Sequence, residues 1–229
     1  MKQVTALPIF LFLLLMSIPT AAAVAFAMAL YSFFAGFPFG EVVLFLLTIF
    51  VFLAVCTVVY RIFIGAFPLP HGELTASRRD EVVYTTYVLF WLMIYTPLTR
   101  LQLAPTPLSP LVLRALGARV GRGSYSAGLV FDPQLFSIGD NSQLGFDCMI
   151  VPHASEGARL SHWPVRIGNN VTIGGRAVLL AGVTVDDGAV VAIGAVVSKG
   201  THIGPGEVWG GIPAKRLLPK GSNALPERG

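Results

Sequence analysis

The sequence predicts a mixed architecture, in which an N-terminal transmembrane helical hairpin and a set of interfacial helices precede a solenoid built from six-residue units. Three observations predict it. Residues 1–60 carry only two charges, Lys2 and Glu41, in a chain of 229 residues that is 54% hydrophobic and 12% charged. With a mean hydropathy of +0.71, that balance points to a membrane rather than to a water-soluble globule. Two apolar stretches, Pro8 to Phe34 and Val42 to about Phe67, are each long enough to cross a hydrocarbon core of about 30 Å at about 1.5 Å per residue. In the second half an aliphatic or aromatic residue recurs every sixth position.

The two apolar stretches are separated only by a short turn holding Gly36, Pro38, Gly40 and Glu41, which makes them a hairpin over residues 1–68. No basic residue lies in that turn, whereas Lys2 precedes the first helix and Arg61, Arg78 and Arg79 follow or end the second. Basic flanks stay in the cytoplasm, so both ends of the hairpin, and the solenoid after them, are expected on the cytoplasmic side of an integral membrane protein. A cleaved signal peptide is the rival reading, because Pro19-Thr20-Ala21-Ala22-Ala23 imitates a cleavage region. Against it, the apolar run continues to Phe34, further than a signal peptide requires. Residues 69–117 read as interfacial helices and a linker. Val82 to Leu98 is aromatic, with Tyr84, Tyr87, Phe90, Trp91 and Tyr95, and short for a full crossing, which suits the water-lipid boundary. Pro105, Pro107 and Pro110 then break the chain before a short amphipathic helix, about Leu111 to Leu116, that ends at Gly117.

The beat occupies residues 118–218, with a flexible tail expected over 219–229. Its large residues are Ile138, Leu144 and Ile150, then Ile167, Ile173, Leu179, Val185, Val191, Val197, Ile203 and Trp209. Four positions after most of them stands a smaller residue: Ser142, Cys148, Ala154, Val171, Ala177, Val183, Ala189, Ala195 and Thr201. A period of six fits neither a helix nor strand alternation, and a fixed internal period marks a solenoid. Each unit supplies one short strand and one corner, so three units close a triangular turn of 18 residues. A β-sandwich would show period two instead. The pattern weakens at Glu207 and Pro213, where a coil ends. Two cysteines, Cys56 and Cys148, form no disulfide framework. The net charge of +4 is too scattered for nucleic acid and suits a membrane surface or an anionic coenzyme.

The run Val165-Arg166-Ile167-Gly168-Asn169-Asn170-Val171-Thr172-Ile173-Gly174-Gly175, followed by Val197-Ser198-Lys199 and Gly211-Ile212-Pro213-Ala214-Lys215, resembles the hexapeptide-repeat acyltransferases over roughly residues 117–218. The Leu116-Gly117-Ala118-Arg119-Val120-Gly121 segment and the short loop from His153 to Ile167 are more closely similar to the membrane-bound terminal modules of ε-poly-lysine-synthetase-like proteins. The resemblance implies a left-handed parallel β-helix, an exception to the usual crossover hand, and assembly as a homotrimer. It also implies acetyl-CoA or another acyl-CoA as co-substrate, with no metal. Gly175, Ile193, Ser198, Lys199, Lys215 and Arg216 match positions where related enzymes hold the pantetheine arm and the nucleotide phosphates.

The beat is interrupted once, between Ile150 and Ile167, by 17 residues where 18 would keep phase. The loop holds His153, Glu156, Arg159, His162 and Trp163, and loops on a rigid scaffold often carry function. The resemblance makes His153 the general base. A neutral imidazole can take a hydroxyl or amine proton as that group attacks a thioester, and backbone N–H groups can hold the oxyanion. Glu156 is expected to orient the imidazole. Asp132, Asp147, His162 and Trp163 are expected around the acceptor, with His162 also a competing base. The expected activity is O- or N-acylation, most simply acetylation, of a membrane-proximal acceptor such as a lipid-linked sugar. The rivals are a non-enzymatic membrane scaffold and a γ-type carbonic anhydrase. The latter needs three histidines on one zinc, and His153, His162 and His202 lack a convincing spacing.

Overall fold

Residues 6–66 offer an almost unbroken run of leucine, phenylalanine, valine and alanine, for which a helix is the conformation that satisfies every backbone group within the segment. In the computed structural model, which describes residues 6–74, 78–100, 105–157 and 159–218, they form α1 (Ala6–Phe34) and α2 (Gly40–Ala66). The orienting Lys2 and the proposed tail lie outside the described residues. Threonine hydroxyls on these apolar helices bond back to the preceding turn: Thr20 to the Met16 carbonyl at 2.8 Å, Thr48 to Leu44 at 2.7 Å and Thr57 to Leu53 at 2.8 Å. Large apolar side chains such as Phe10, Leu13, Phe45 and Phe50 point outward, each at least 60% exposed.

The third apolar segment is longer than its sequence suggested. Helix α3 (Arg78–Phe90) runs through a π-helical turn, Trp91–Tyr95, into α4 (Thr96–Arg100), because Arg78, Arg79, Asp80 and Glu81 add a charged first turn to the apolar run. By length and composition alone, Ala6–Phe34, Gly40–Ala66 and Arg78–Thr99 can each cross a membrane, although the last has the lowest hydropathy of the three, 1.3 against 2.4 and 3.1. Tyr87, Phe90 and Tyr95 all pack on Tyr60 of α2, with ring centroids 6.3, 5.7 and 5.2 Å away, and Phe90 also meets Phe12 at 5.2 Å.

The chain divides into two compact units. One holds α1, α2 and α3 as far as Tyr95; the other holds the segment from Pro70 that contains the linker strand Gly72–Glu73, and the chain from Thr96 onward. In the second unit α5 (Ser109–Ala115) ends at Gly117, whose φ of 107° lets the chain turn back into the first coil. This corrects the expected start, Leu111, by two residues: Pro110 sits inside the first helical turn, where its missing N–H costs nothing.

The coils are parallel. One face stacks Val120, Ile138, Ile167, Val185 and Ile203 in register, a second stacks Ser126, Leu144, Ile173, Val191 and Trp209, and a third stacks Val130, Ile150, Leu179 and Val197. The interior is filled as the beat requires: Leu144, Ile150, Leu179, Val191, Val197 and Ile203 are fully buried, and so are the small Cys148, Ala177, Ala189 and Ala195 at the corners. Burial pushes the Cys148 thiol up to about 12, which leaves it inert. One corner is closed by a ladder of side chains that mimic the backbone of the coil above. Asp140 accepts from the Arg122 N–H at 2.7 Å, Asn169 from the Asp140 N–H at 2.8 Å and Asp187 from the Asn169 N–H at 2.7 Å.

The first coil, with Val120, Ser126 and Val130, lies inside the residues assigned to the solenoid but before Ile138, and the beat misses it because four residues separate Ser126 from Val130 and eight separate Val130 from Ile138. One expectation changes. The interruption is not a coil short by one residue. Ile138 and Ile167 are neighbours on one face although 29 residues apart, against 18 from Ile167 to Val185, so the extra residues leave the prism as an antiparallel hairpin, His153–Glu156 with Arg159–His162. Ala154 belongs to that hairpin and not to a corner. At the far end Glu207 is no defect either. It accepts from the Gly204 N–H at 3.0 Å, the Trp209 indole at 2.8 Å and Arg216 at 2.9 Å; these donors, led by Trp209, hold its carboxyl at about 2. Because each coil buries its face only against the next, Leu179→Ala should cost about 2–5 kcal/mol, seen as a lower unfolding temperature of the purified protein.

Candidate functional site

The hairpin leaves the prism at the corner after Ile150, so His153 stands directly above the corner of the preceding coil. Ile150 stacks on Val130, and two residues beyond Val130 the chain turns through Asp132, in left-handed backbone (φ 46°), into a 3-10 turn, Pro133–Leu135. An aspartate tolerates that conformation better than most residues. The turn sends its carboxylate up: Asp132 Oδ2 lies 2.6 Å from His153 Nδ1. The carboxylate is 5% exposed and the imidazole 27%. An ionised carboxylate can only accept, so Nδ1 carries the proton and Nε2 presents a lone pair. The hydrogen bond from Asp132 raises the His153 pKa above its ordinary 6.5, against the opposing effect of burial. The Phe131 ring stands edge-on to the imidazole, 5.7 Å between centroids.

This overturns the expected His153–Glu156 pair. Glu156 lies at the far end of its strand, opposite Arg159, and accepts a 2.7 Å hydrogen bond from Lys199 Nζ. Along a strand the side chains three residues apart point to opposite faces, so Glu156 could not have reached the imidazole. Asp132, expected at the acceptor, is instead the carboxylate bonded to the His153 imidazole. His162 is fully buried and cannot touch an acceptor; burial lowers its pKa. It faces His153 across the hairpin and Gly72 of the linker strand on its other side. Trp163, partly exposed, covers the positive-φ turn at Gly182. Asp147 sits at a different corner, 3.9 Å from Arg176, beside a cavity lined by Thr99, Ser109, Ser126, Leu129 and Met149.

The six residues matched to a coenzyme site fall into three groups. Gly175 and the exposed Ile193 share a corner, where a side chain on Gly175 would meet the Phe146 carbonyl at 3.0 Å and Ile193 at 3.9 Å. Ser198 and Lys199 occupy another corner, the one bridged to the hairpin through Glu156. Lys215 and Arg216 lie on the return strand Lys215–Leu218, which pairs antiparallel with Val208–Gly210. Arg216 is neutralised by Glu207, and among the described residues Lys215 has no ionic partner. His202 bonds Asp186 at 2.7 Å on the first face. No three histidine, cysteine or acidic side chains among the described residues converge to hold a metal.

Residues 164–199 match the family model for the hexapeptide repeat of succinyl-transferase. This stretch is a run of hexapeptide repeats. The hexapeptide-repeat region is similar to a δ-poly-L-ornithine synthetase of Acinetobacter baumannii, 29% identical over 110 residues, which are 48% of this chain and 8% of that protein. It is similar also to the mitochondrial γ carbonic anhydrase 1 of Arabidopsis thaliana, 36% identical over 118 residues, 43% of this chain and 42% of that one. The chain thus spans less than half the length of either relative. Among solved structures it is similar to a hexapeptide-repeat-containing acetyltransferase from Vibrio cholerae in complex with acetyl coenzyme A, 24% identical, with 45% of this chain and 61% of that one aligned at a TM-score of 0.42. The geometry makes Asp132 and not Glu156 the determinant of His153 titration. The pH midpoint for modification of His153 by diethyl pyrocarbonate should therefore fall in Asp132→Asn and stay in place in Glu156→Gln.

Proposed function

We propose that this protein is a membrane-anchored acyltransferase that draws its acyl group from a coenzyme A thioester, with His153 as general base and Asp132 as its orienting carboxylate. The observation that carries this reading is the 2.6 Å bond between the two, made from adjacent coils of a rigid prism. Asp132 keeps the proton on Nδ1, so the Nε2 lone pair is free to take the proton of an acceptor hydroxyl or amine as it attacks the thioester carbonyl. The C–S bond then breaks, the thiolate departs, and the imidazolium returns the proton to it. The imidazolium is stabilised by the buried carboxylate, which is why the carboxylate matters to the barrier as well as to the tautomer.

Ser198, Lys199 and Lys215 are the residues we assign to the coenzyme, with Gly175 and Ile193 along its pantetheine arm; Lys215 is the best placed for phosphate, having no competing carboxylate. The run of hexapeptide repeats supports the donor class, and we read the coil as left-handed and trimeric on the same resemblance. In a membrane preparation supplied with acetyl-CoA and acceptor, His153→Ala should lower turnover by about two to four orders of magnitude. Wild-type turnover in that variant would remove the base assignment. Because the folded pKa of His153 is raised and the base must be neutral, the acid limb of kcat/KM should have its midpoint above 6.5 and rise with pH through it.

The acceptor we assign is amphipathic or lipid-linked, presented at the membrane surface. Helices α1 and α2 cross; α3 lies in the interface. Its aromatic residues converge on Tyr60 instead of following α2, its first turn is charged, and its exposed Leu92 and Met93 suit shallow immersion. The residues before and after it, around the linker strand and from Thr96, belong to one and the same unit, which an in-plane helix allows without a second crossing. Cysteines placed singly at Glu73 and Pro105 should then react with an impermeant maleimide from the same side of sealed vesicles, and one at Gly36 from the other. Labelling of Glu73 and Pro105 from opposite sides would make α3 a third crossing.

A further inference from the structure

The linker strand is two residues long, lies in the sequence between two apolar helices, and has no part in the solenoid's own coils. It nevertheless pairs with the hairpin that bears the base. Gly72 faces His162 and Glu73 faces Ser161, the Leu74 N–H donates to the Leu160 carbonyl at 2.8 Å, and Glu73 meets Arg159 at 3.7 Å in an exposed ion pair. The outcome is a three-stranded sheet with the Arg159–His162 strand in the middle. An isolated two-stranded hairpin is marginal in water, and a third strand is what commonly stabilises it.

His162 sits where the three strands meet. It is fully buried, lies in register with His153 on one side and Gly72 on the other, and the Pro70 backbone beside its ring draws its pKa up against the larger downward effect of burial. Proline has no N–H, so its carbonyl is the group that acts on the ring, and an imidazole N–H is the donor that carbonyl can accept from. The charged or titratable groups around the ring are Asp132 and His153 from the site and His71 from the linker; Glu73, Glu156 and Arg159 are on the same small sheet.

We propose that His162 is a positioning residue, which clasps the linker strand to the hairpin and thereby holds His153 at bonding distance from Asp132. This rests on His153 being the base. Docking of the strand makes the hairpin rigid, and a rigid hairpin keeps the imidazole above the Asp132 carboxylate. Without the clasp the hairpin loses its third strand, the Asp132–His153 distance is no longer fixed, and the base loses the interaction that raises its affinity for a proton.

The test uses the full-length protein in membranes. His162→Phe, which fills the buried site without a donor, should lower kcat by about tenfold or more, leave KM for acetyl-CoA within about twofold, and move the acid limb of the pH profile downward. One of His162→Asn and His162→Gln, which set an N–H near the two ring-nitrogen positions, should recover most of the kcat. Glu73 and Ser161 form the non-hydrogen-bonded pair of this ladder, the kind of pair whose close Cα atoms accept a disulfide. Oxidised Glu73→Cys/Ser161→Cys in the His162→Phe background should therefore restore kcat and the acid limb, and dithiothreitol should reverse it. A wild-type kcat and acid limb in His162→Phe would overturn the clasp, as would a loss that neither the amides nor the disulfide recover. A fall in kcat without movement of the limb would also overturn it, since that reports only fewer folded molecules. His153→Ala measured in the same assay separates the two ideas: if it is fully active, the base assignment fails and not the clasp alone.

Discussion

Every coil of the prism must place one large apolar side chain per face at the same level as the side chains above and below it. That constraint fixes the positions of Asp132 and His153. Once Ile150 is stacked on Val130, the backbone leaving each is carried out through the same corner, and whatever follows is held within bonding distance across the gap of one coil. Asp132 and His153 are 21 residues apart in the chain and 2.6 Å apart in space for this reason. The alignment is maintained by a core at close packing, so the dyad's geometry is backed by the stability of the whole stack and not by a local network of loops.

The sequence makes the solenoid legible wherever the beat is regular. From Ile167 to Ile203 each large residue named by the period is buried, and from Ile167 to Val191 each pairs with the residue 18 positions on. Legibility fails at the first coil, because Val130 is four residues after Ser126 and its corner is lengthened by Asp132 and the 3-10 turn. That one irregularity hid the partner of the histidine. With the register Val130-to-Ile150 in hand, Asp132 falls at the same corner as His153; without it, Glu156 is the nearest acid by chain distance. A strand's alternation then carries Glu156 away, to Lys199. His162 was invisible for another reason: a polar residue in a polar loop gives no sign that a two-residue strand from a remote linker will bury it.

The apolar helical unit is legible in outline and not in detail. Hydropathy marks α1 and α2, and the threonine-to-backbone bonds explain how their few polar groups are accommodated. The third helix divides composition from geometry. Its length permits a crossing, while its aromatic rings gather on Tyr60 of α2. Hydropathy measures what a helix can tolerate, whereas packing records where it goes.

The return strand Lys215–Leu218 runs opposite to every strand of the face it joins. A parallel β-helix ends in sheet edges that invite another coil, whether from its own chain or from a second molecule stacked end on end. An antiparallel last strand offers the wrong polarity for such a coil, and Glu207 fastens it by its bond to Arg216. At that face the antiparallel strand therefore opposes the addition of a parallel coil along the prism axis.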